Sequence, residues 1–286
     1  MRNSVLILVA LLVASVSASA EQFKIPVGEF SELVLNDKLD VVYSTNPDSV
    51  GLVAFETKPA YASYIMTECN KGKLKIQISP DAQEVEDLPT VYVYSTFLSK
   101  VENWRNGSVT VKEIKPASKI TLSTQGNGRI TAAGLDATSV SLKSGKGFIK
   151  VFGKCRSLEI VNVGTGTVDA YDVAAEEVEC RLTGTGSAYC SPLSKLKIRG
   201  IGTGKVYYRG NPEKIEKSGL TTVKAVKDEG DPASVTVEEK PATEVKPEPL
   251  TTPSVVDDVF EGGEDDDATE GRKPVQRPDA PAINSI

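Results

Sequence analysis

Five glycine pairs of the form Gly-x-Gly recur down the chain: Gly126 and Gly128, Gly145 and Gly147, Gly164 and Gly166, Gly184 and Gly186, Gly202 and Gly204. Successive pairs are 19, 19, 20 and 18 residues apart. A period near 20 residues, with two short alternating stretches in each unit, is the signature of a β-solenoid whose turns stack to share one core. Two strands in so short a unit need a sharp corner between them, where β-carbons are resisted; the glycine pairs are therefore read as corners. A phosphate-cradling loop would also use such glycines, but it opens a helix, and no helical pattern follows any of the five.

Alignment on the glycines predicts the core. Leu122, Ile160, Cys180 and Ile198 stand four residues before the first glycine of their pairs. Leu142 joins them if its turn is one residue short. Ile130, Ile149, Val168, Ala188 and Val206 follow the second glycine by two, and Ala132, Val151, Ala170, Cys190 and Tyr208 by four. Strand side chains alternate faces, so each set points one way, and turns about 4.8 Å apart would stack it as an inward ladder. Burial of one Leu, Ile or Val contributes roughly 1.5–3 kcal/mol, so a single turn cannot stand alone.

The ends differ from the middle. Residues 1–20 read as a secretory signal peptide, with Arg2, an apolar stretch from Val5 to Val13, and Ala18-Ser19-Ala20 as the cleavage site. Cleavage before Glu21 is expected, and with it an exported protein in the periplasm, at the cell surface or secreted. No later run is long and apolar enough to span a bilayer. Residues 30–35, 39–43, 74–78 and 91–94 are short alternating runs between turn residues. They predict a modified N-terminal cap, with Asn106-Gly107-Ser108-Val109 as a degenerate first corner. The folded domain is thus expected over 21–227, with its clearest repeats over 101–212. Residues 228–286 hold 16 acidic and 5 basic side chains, many prolines and no apolar period, the composition of a disordered acidic tail. Its Glu264-Asp265-Asp266-Asp267 run lacks the spacing of a calcium loop. Residues 21–227 carry 27 basic and 23 acidic side chains, so the net charge of −6 belongs to the tail.

The sequence contains no histidine, which removes Ser-His-Asp and Cys-His catalysis and histidine-bound metals. Cys69, Cys155, Cys180 and Cys190 match no metal spacing; Cys180 and Cys190 fall on inward ladders, either as buried thiols or as a disulfide. Asp169, Asp172, Glu176, Glu177 and Glu179 form a local acidic cluster within the repeats, and a solvated corner explains them better than a catalytic pair. Lys143, Lys146, Lys150, Lys154 and Arg156 make a basic strip without interleaved aromatics, which does not point to nucleic acid. Tyr189 and Tyr207 take equivalent outward positions on successive turns, with Arg181, Arg199 and Lys205 nearby. Rings beside cations suit a sugar or an anionic glycan; packing against the cap or another subunit explains the same residues.

The chain resembles the putative auto-transporter adhesin, head GIN domain family over residues 28–212. The resemblance rests on Phe30-x-x-Leu33-x-Leu35 with Leu39-Asp40-Val41, on Gly72-Lys73-Leu74-Lys75-Ile76, on Val91-Tyr92-Val93, on the glycine corners, and on the closing Val206-Tyr207-Tyr208-Arg209-Gly210-Asn211-Pro212. The aspartate that often follows the family's corner glycines is here Arg129, Phe148, Thr167, Ser187 or Lys205. The resemblance implies an exported, right-handed parallel β-helix and brings no active site. Together these readings predict an all-β solenoid that is not an enzyme and needs no cofactor or metal. Its expected role is a binding module of the cell envelope or surface, its partner a glycan or another envelope or cell-surface protein. A polysaccharide-degrading enzyme and a purely structural or regulatory envelope protein are the alternatives.

Overall fold

The structure, a computed structural model, describes residues 20–226 apart from Glu86. The expected signal peptide, apart from Ala20, and the acidic tail lie outside the described residues. Seventeen strands form one continuous sheet that curls into a β-solenoid of about six turns. The strands are β1 (Glu21–Pro26), β2 (Glu32–Leu35), β3 (Asp40–Ser44), β4 (Leu52–Thr57), β5 (Ile65–Asn70), β6 (Lys73–Ile78), β7 (Val91–Tyr94), β8 (Lys100–Asn103), β9 (Ser108–Val111), β10 (Ala117–Thr124), β11 (Arg129–Ser144), β12 (Phe148–Gly164), β13 (Thr167–Gly184), β14 (Ser187–Ile201), β15 (Lys205–Tyr208), β16 (Lys214–Gly219) and β17 (Thr222–Ala225).

Parallel pairing sorts them into two stacks. Stack A holds β6, β2, β8, β10, the second halves of β11 to β14, and β16. Stack B holds β7, β3, β9, the first halves of β11 to β14, β15 and β17. The glycine pairs join a stack A strand to the stack B strand that follows it. The long strands β11 to β14 cross from stack B to stack A through register shifts, as between Ala132 and Leu135.

The predicted ladders are the core. Leu122, Leu142, Ile160, Cys180 and Ile198 are register partners in stack A and all are buried, so Leu142 does take its place in the column. The Ile130 and Ala132 sets are buried in stack B as far as Val206, and Tyr208 packs half-buried against them. Thr124, Ser144 and Asn162 continue inward beside the corners although polar. Each interior carbonyl needs a donor; Ser144 and Asn162 supply some of them, and Thr124 donates to Ser144 Oγ at 3.2 Å. Ser144 Oγ donates to the Gly147 carbonyl at 3.0 Å, and Asn162 Nδ2 to those of Gly166 and Ser187 at 2.6 and 3.2 Å. Asn103 does the same at the earlier Gly107 corner, donating to Gly107 at 2.6 Å.

The two glycines of a pair serve different needs. Gly184 has φ of 116°, which an L side chain resists. Gly147 does not have positive φ; a β-carbon there would strike the corner of the previous turn, at 2.8 Å from Thr124 Cβ and 2.9 Å from the Gly126 carbonyl.

The N-terminal part departs from simple stacking in chain order. The β2–β3 turn lies between β6–β7 on one side and β8–β9 on the other. β1 and β4 pair antiparallel, as do β5 and β6, and close that end.

All four cysteines are free thiols; Cys155, Cys180 and Cys190 are buried and Cys69 is partly exposed. Burial pushes the Cys155 thiol up to about 11. Hydrogen bonding with Cys190, then burial, raises Cys180 well above the ordinary thiol range. Only the thiolate reacts. Alkylation of the folded protein near pH 8 without reductant is therefore expected to label Cys69 alone, and all four after unfolding. Mass spectrometry reads the result; rapid native labelling of more than one cysteine would contradict this burial.

Candidate binding surface

The outward faces follow from the same alternation that builds the core. In stack B, Lys150, Asp169, Tyr189, Tyr207 and Lys224 are successive register partners pointing outward. Parallel strands lie about 4.8 Å apart, close to ring-stacking distance. The Tyr189 and Tyr207 rings are stacked, with centroids 4.9 Å apart and planes 9° from parallel. Tyr171 meets Tyr189 edge-on at 5.1 Å and 71°, and the Arg209 guanidinium lies 4.1 Å from the Tyr171 ring centre. Ser191 Oγ donates to the Tyr171 carbonyl at 2.6 Å, tying one turn to the next. Burial, then the neighbouring Tyr207 and Asp169, raises the Tyr189 phenol above its ordinary value; burial raises Tyr171 further, with Arg209 opposing. Both stay neutral at physiological pH, offering flat ring faces with hydroxyl donors.

Lys205 precedes Tyr207 by two residues in β15 and shares its face, exposed beside the rings. Arg181 and Arg199 do not join them. They sit in stack A, across the Gly184–Gly186 and Gly202–Gly204 corners, and serve carboxylates there. Arg181 contacts Glu159 at 3.2 Å and Glu179 at 3.0 Å, while Arg199 and Lys197 lie 4.0 and 3.8 Å from Glu179. Burial pushes the Glu179 carboxyl up, but the Arg181 hydrogen bond and the three cations outweigh it and hold the group below its usual range. Tyr171 and Arg209 were not singled out in the sequence. The signal was available: they follow Asp169 and Tyr207 by two, and alternation puts them on the outward side.

The acidic cluster is dispersed. Asp169 points outward to Lys150 at 3.4 Å, Asp172 is 3.9 Å from the same lysine, and Glu176 pairs with Arg156 at 3.4 Å. The basic strip is spread likewise: Lys143 lies on stack A, Lys146 at a corner, Lys150 on stack B, and Lys154 pairs with Asp136 at 3.3 Å. A shallow open hollow of about 600 Å³ beside Ala117, Asp136, Thr138 and Arg156 brings together no pair of carboxylates. Among the described residues, no three His, Cys, Asp or Glu side chains are grouped to hold a metal ion, and no helix is long and apolar enough to cross a membrane.

The described residues thus define a β-solenoid with a ring-lined outer face. The chain belongs to the family described as "Putative auto-transporter adhesin, head GIN domain", whose model matches residues 29–212. Solved structures share the fold. A "putative adhesin" from Bacteroides fragilis aligns with a TM-score of 0.65 at 18% identity, over 73% of this chain and 98% of that one. A "putative lipid binding protein" from Parabacteroides distasonis aligns with a TM-score of 0.59 at 18% identity, over 74% and 98%. A "putative adhesin" from Parabacteroides merdae gives 0.57 at 18% identity, over 74% and 96%. No match was found among curated proteins.

Proposed function

We propose that this protein is a non-enzymatic, exported module of the cell envelope or surface that adheres to glycan through the tyrosine column of stack B. The stacked pair Tyr189 and Tyr207 carries the reading: two half-exposed parallel rings, with Tyr171, Lys205 and Arg209 beside them, offer a run of flat faces to successive sugar units. The adhesin family and the adhesin-like neighbours support a binding role, and the leader-like residues 1–20 support export. A polysaccharide-cleaving role has less support, because the carboxylates nearest the column are each held by a lysine or arginine of their own or the neighbouring turn.

The test is a glycan array probed with the mature protein and with a Tyr189→Ala/Tyr207→Ala double variant. Removing both rings takes away the flat faces offered to the sugars and is expected to abolish the array signal, with only a modest loss of stability from the ring pair, worth about 0.5–1.5 kcal/mol beyond its buried area. An unchanged array pattern in the double variant would remove the tyrosine column from the binding surface.

A further inference from the structure

A second surface feature lies on the other stack and is independent of the tyrosine column. In β6, β2 and β8, Lys75, Val34 and Glu102 are outward register partners in that order. With strands about 4.8 Å apart, the lysine and the glutamate flank Val34 at roughly 10 Å from each other. Trp104 and Asn36 follow Glu102 and Val34 by two residues and close the corner side. Together with Lys73 these residues line an open groove of about 290 Å³. Trp104 is the only tryptophan of the chain and is 46% exposed.

The backbone that carries the walls is held by hydrogen bonds. The backbone N–H of Trp104 donates to the Leu35 carbonyl at 2.9 Å, and that of Asn36 to the Ile76 carbonyl at 3.0 Å. Behind Trp104, the buried Asn103 amide bridges to the Gly107 and Arg129 carbonyls. Next to Asn36, the Asp37 carboxylate accepts from the Ile78 N–H at 3.0 Å.

The charges are uneven. Lys100 holds Glu102 at 2.8 Å, and Lys73 holds Glu32 at 3.4 Å. Lys75 is half-buried, and among the described residues no carboxylate lies within 4.0 Å of its ammonium, although the exposed Glu68 is its cross-strand neighbour on β5. The groove therefore offers an aromatic wall, an apolar floor, an uncommitted cation on one side and a carboxylate acceptor on the other. We propose that it binds one carboxylated pyranose, a uronic acid unit: the acid group on Lys75, the apolar ring face on Trp104, and hydroxyls toward Glu102. Ligand pockets span roughly 300–1,000 Å³, so this volume suits a single ring and the open side lets a polymer continue past it.

The lone tryptophan reports on the groove directly. Titration of the mature protein with D-galacturonate or D-glucuronate is expected to give a saturable change in tryptophan emission, with D-galactose and D-glucose as neutral controls giving a much weaker one. Lys75→Gln, a surface change, should weaken uronate binding by about tenfold, the size of one charge-assisted hydrogen bond. Tyr189→Ala/Tyr207→Ala should respond like the parent protein, which separates this groove from the tyrosine column. Absence of a saturable response to either uronate, an equal response to the neutral sugars, or a Lys75→Gln variant that binds like the parent would each overturn the proposal.

Discussion

Replacing Gly147 by alanine is expected to lower the melting temperature by about 6–12 °C, read by circular dichroism or calorimetry. The added methyl would meet the Gly128 carbonyl at less than contact distance, with Thr124 Cβ at 2.8 Å and the Gly126 carbonyl at 2.9 Å. Those carbonyls belong to backbone that cannot swing aside. Gly128 O already accepts from the Phe148 N–H at 3.0 Å, and the Gly145 N–H is held by Thr124 O at 2.9 Å. The neighbouring turns must part locally, at a cost of about 3 kcal/mol, the top of the usual range for overpacking. For a domain of this size each kcal/mol shifts the transition by about 2–4 °C. Gly134 gives the comparison: its φ is 71°, but nothing lies closer than 3.8 Å to an added β-carbon. Gly134→Ala should therefore lose only the backbone term, about 1–2 kcal/mol. Equal losses at the two sites would mean that close stacking of the corners is not what requires glycine at 147.

Ile160→Ala is expected to cost about 4 kcal/mol in denaturant unfolding, near the upper part of the range for large-to-small core changes. Its side chain is fully buried between Leu142 and Cys180 of the turns on either side. The strands bearing those neighbours are pinned by their own ladder hydrogen bonds, so the cavity cannot close by collapse. Ile198 occupies the same column near the C-terminal end, where its outer partner is the exposed Lys217. The last turn can relax around a smaller side chain, and each turn touches only its neighbours. Ile198→Ala should therefore cost at least about 1 kcal/mol less than Ile160→Ala. Matching losses would show that relaxation at the end of the stack does not matter.

The glycine spacing and the alternating apolar sets made the coil and most of its interior readable, because register in a parallel stack repeats the same side chain at the same place. Even the irregular turn at Leu142 could be anticipated. Three features were not readable. The polar column of Thr124, Ser144 and Asn162 looks misplaced until its bonds are seen: Ser144 and Asn162 serve corner carbonyls, and Thr124 donates to Ser144 Oγ. The placement of β2–β3 between two later turns leaves no mark in local pattern, since periodicity reports neighbours along the chain and not across it. The candidate surface was half legible: alternation put Tyr189, Tyr207 and Lys205 on one face. Arg181 and Arg199 were grouped with them only because sequence proximity hides the bend between the stacks.

The intercalated β2–β3 turn also dictates an order of assembly. Residues 32–44 have no partner on their C-terminal side until β8 and β9 have been made, so this part of the sheet cannot close before residue 111 is available. The chain must first run out through β4 to β7 and then come back. The turns from β10 onward can add one at a time onto what is already built. The slow, entropically costly loop closures are thus concentrated in the first hundred residues, and a chain cut short within them would leave two unprotected rows of backbone groups where a finished template is needed.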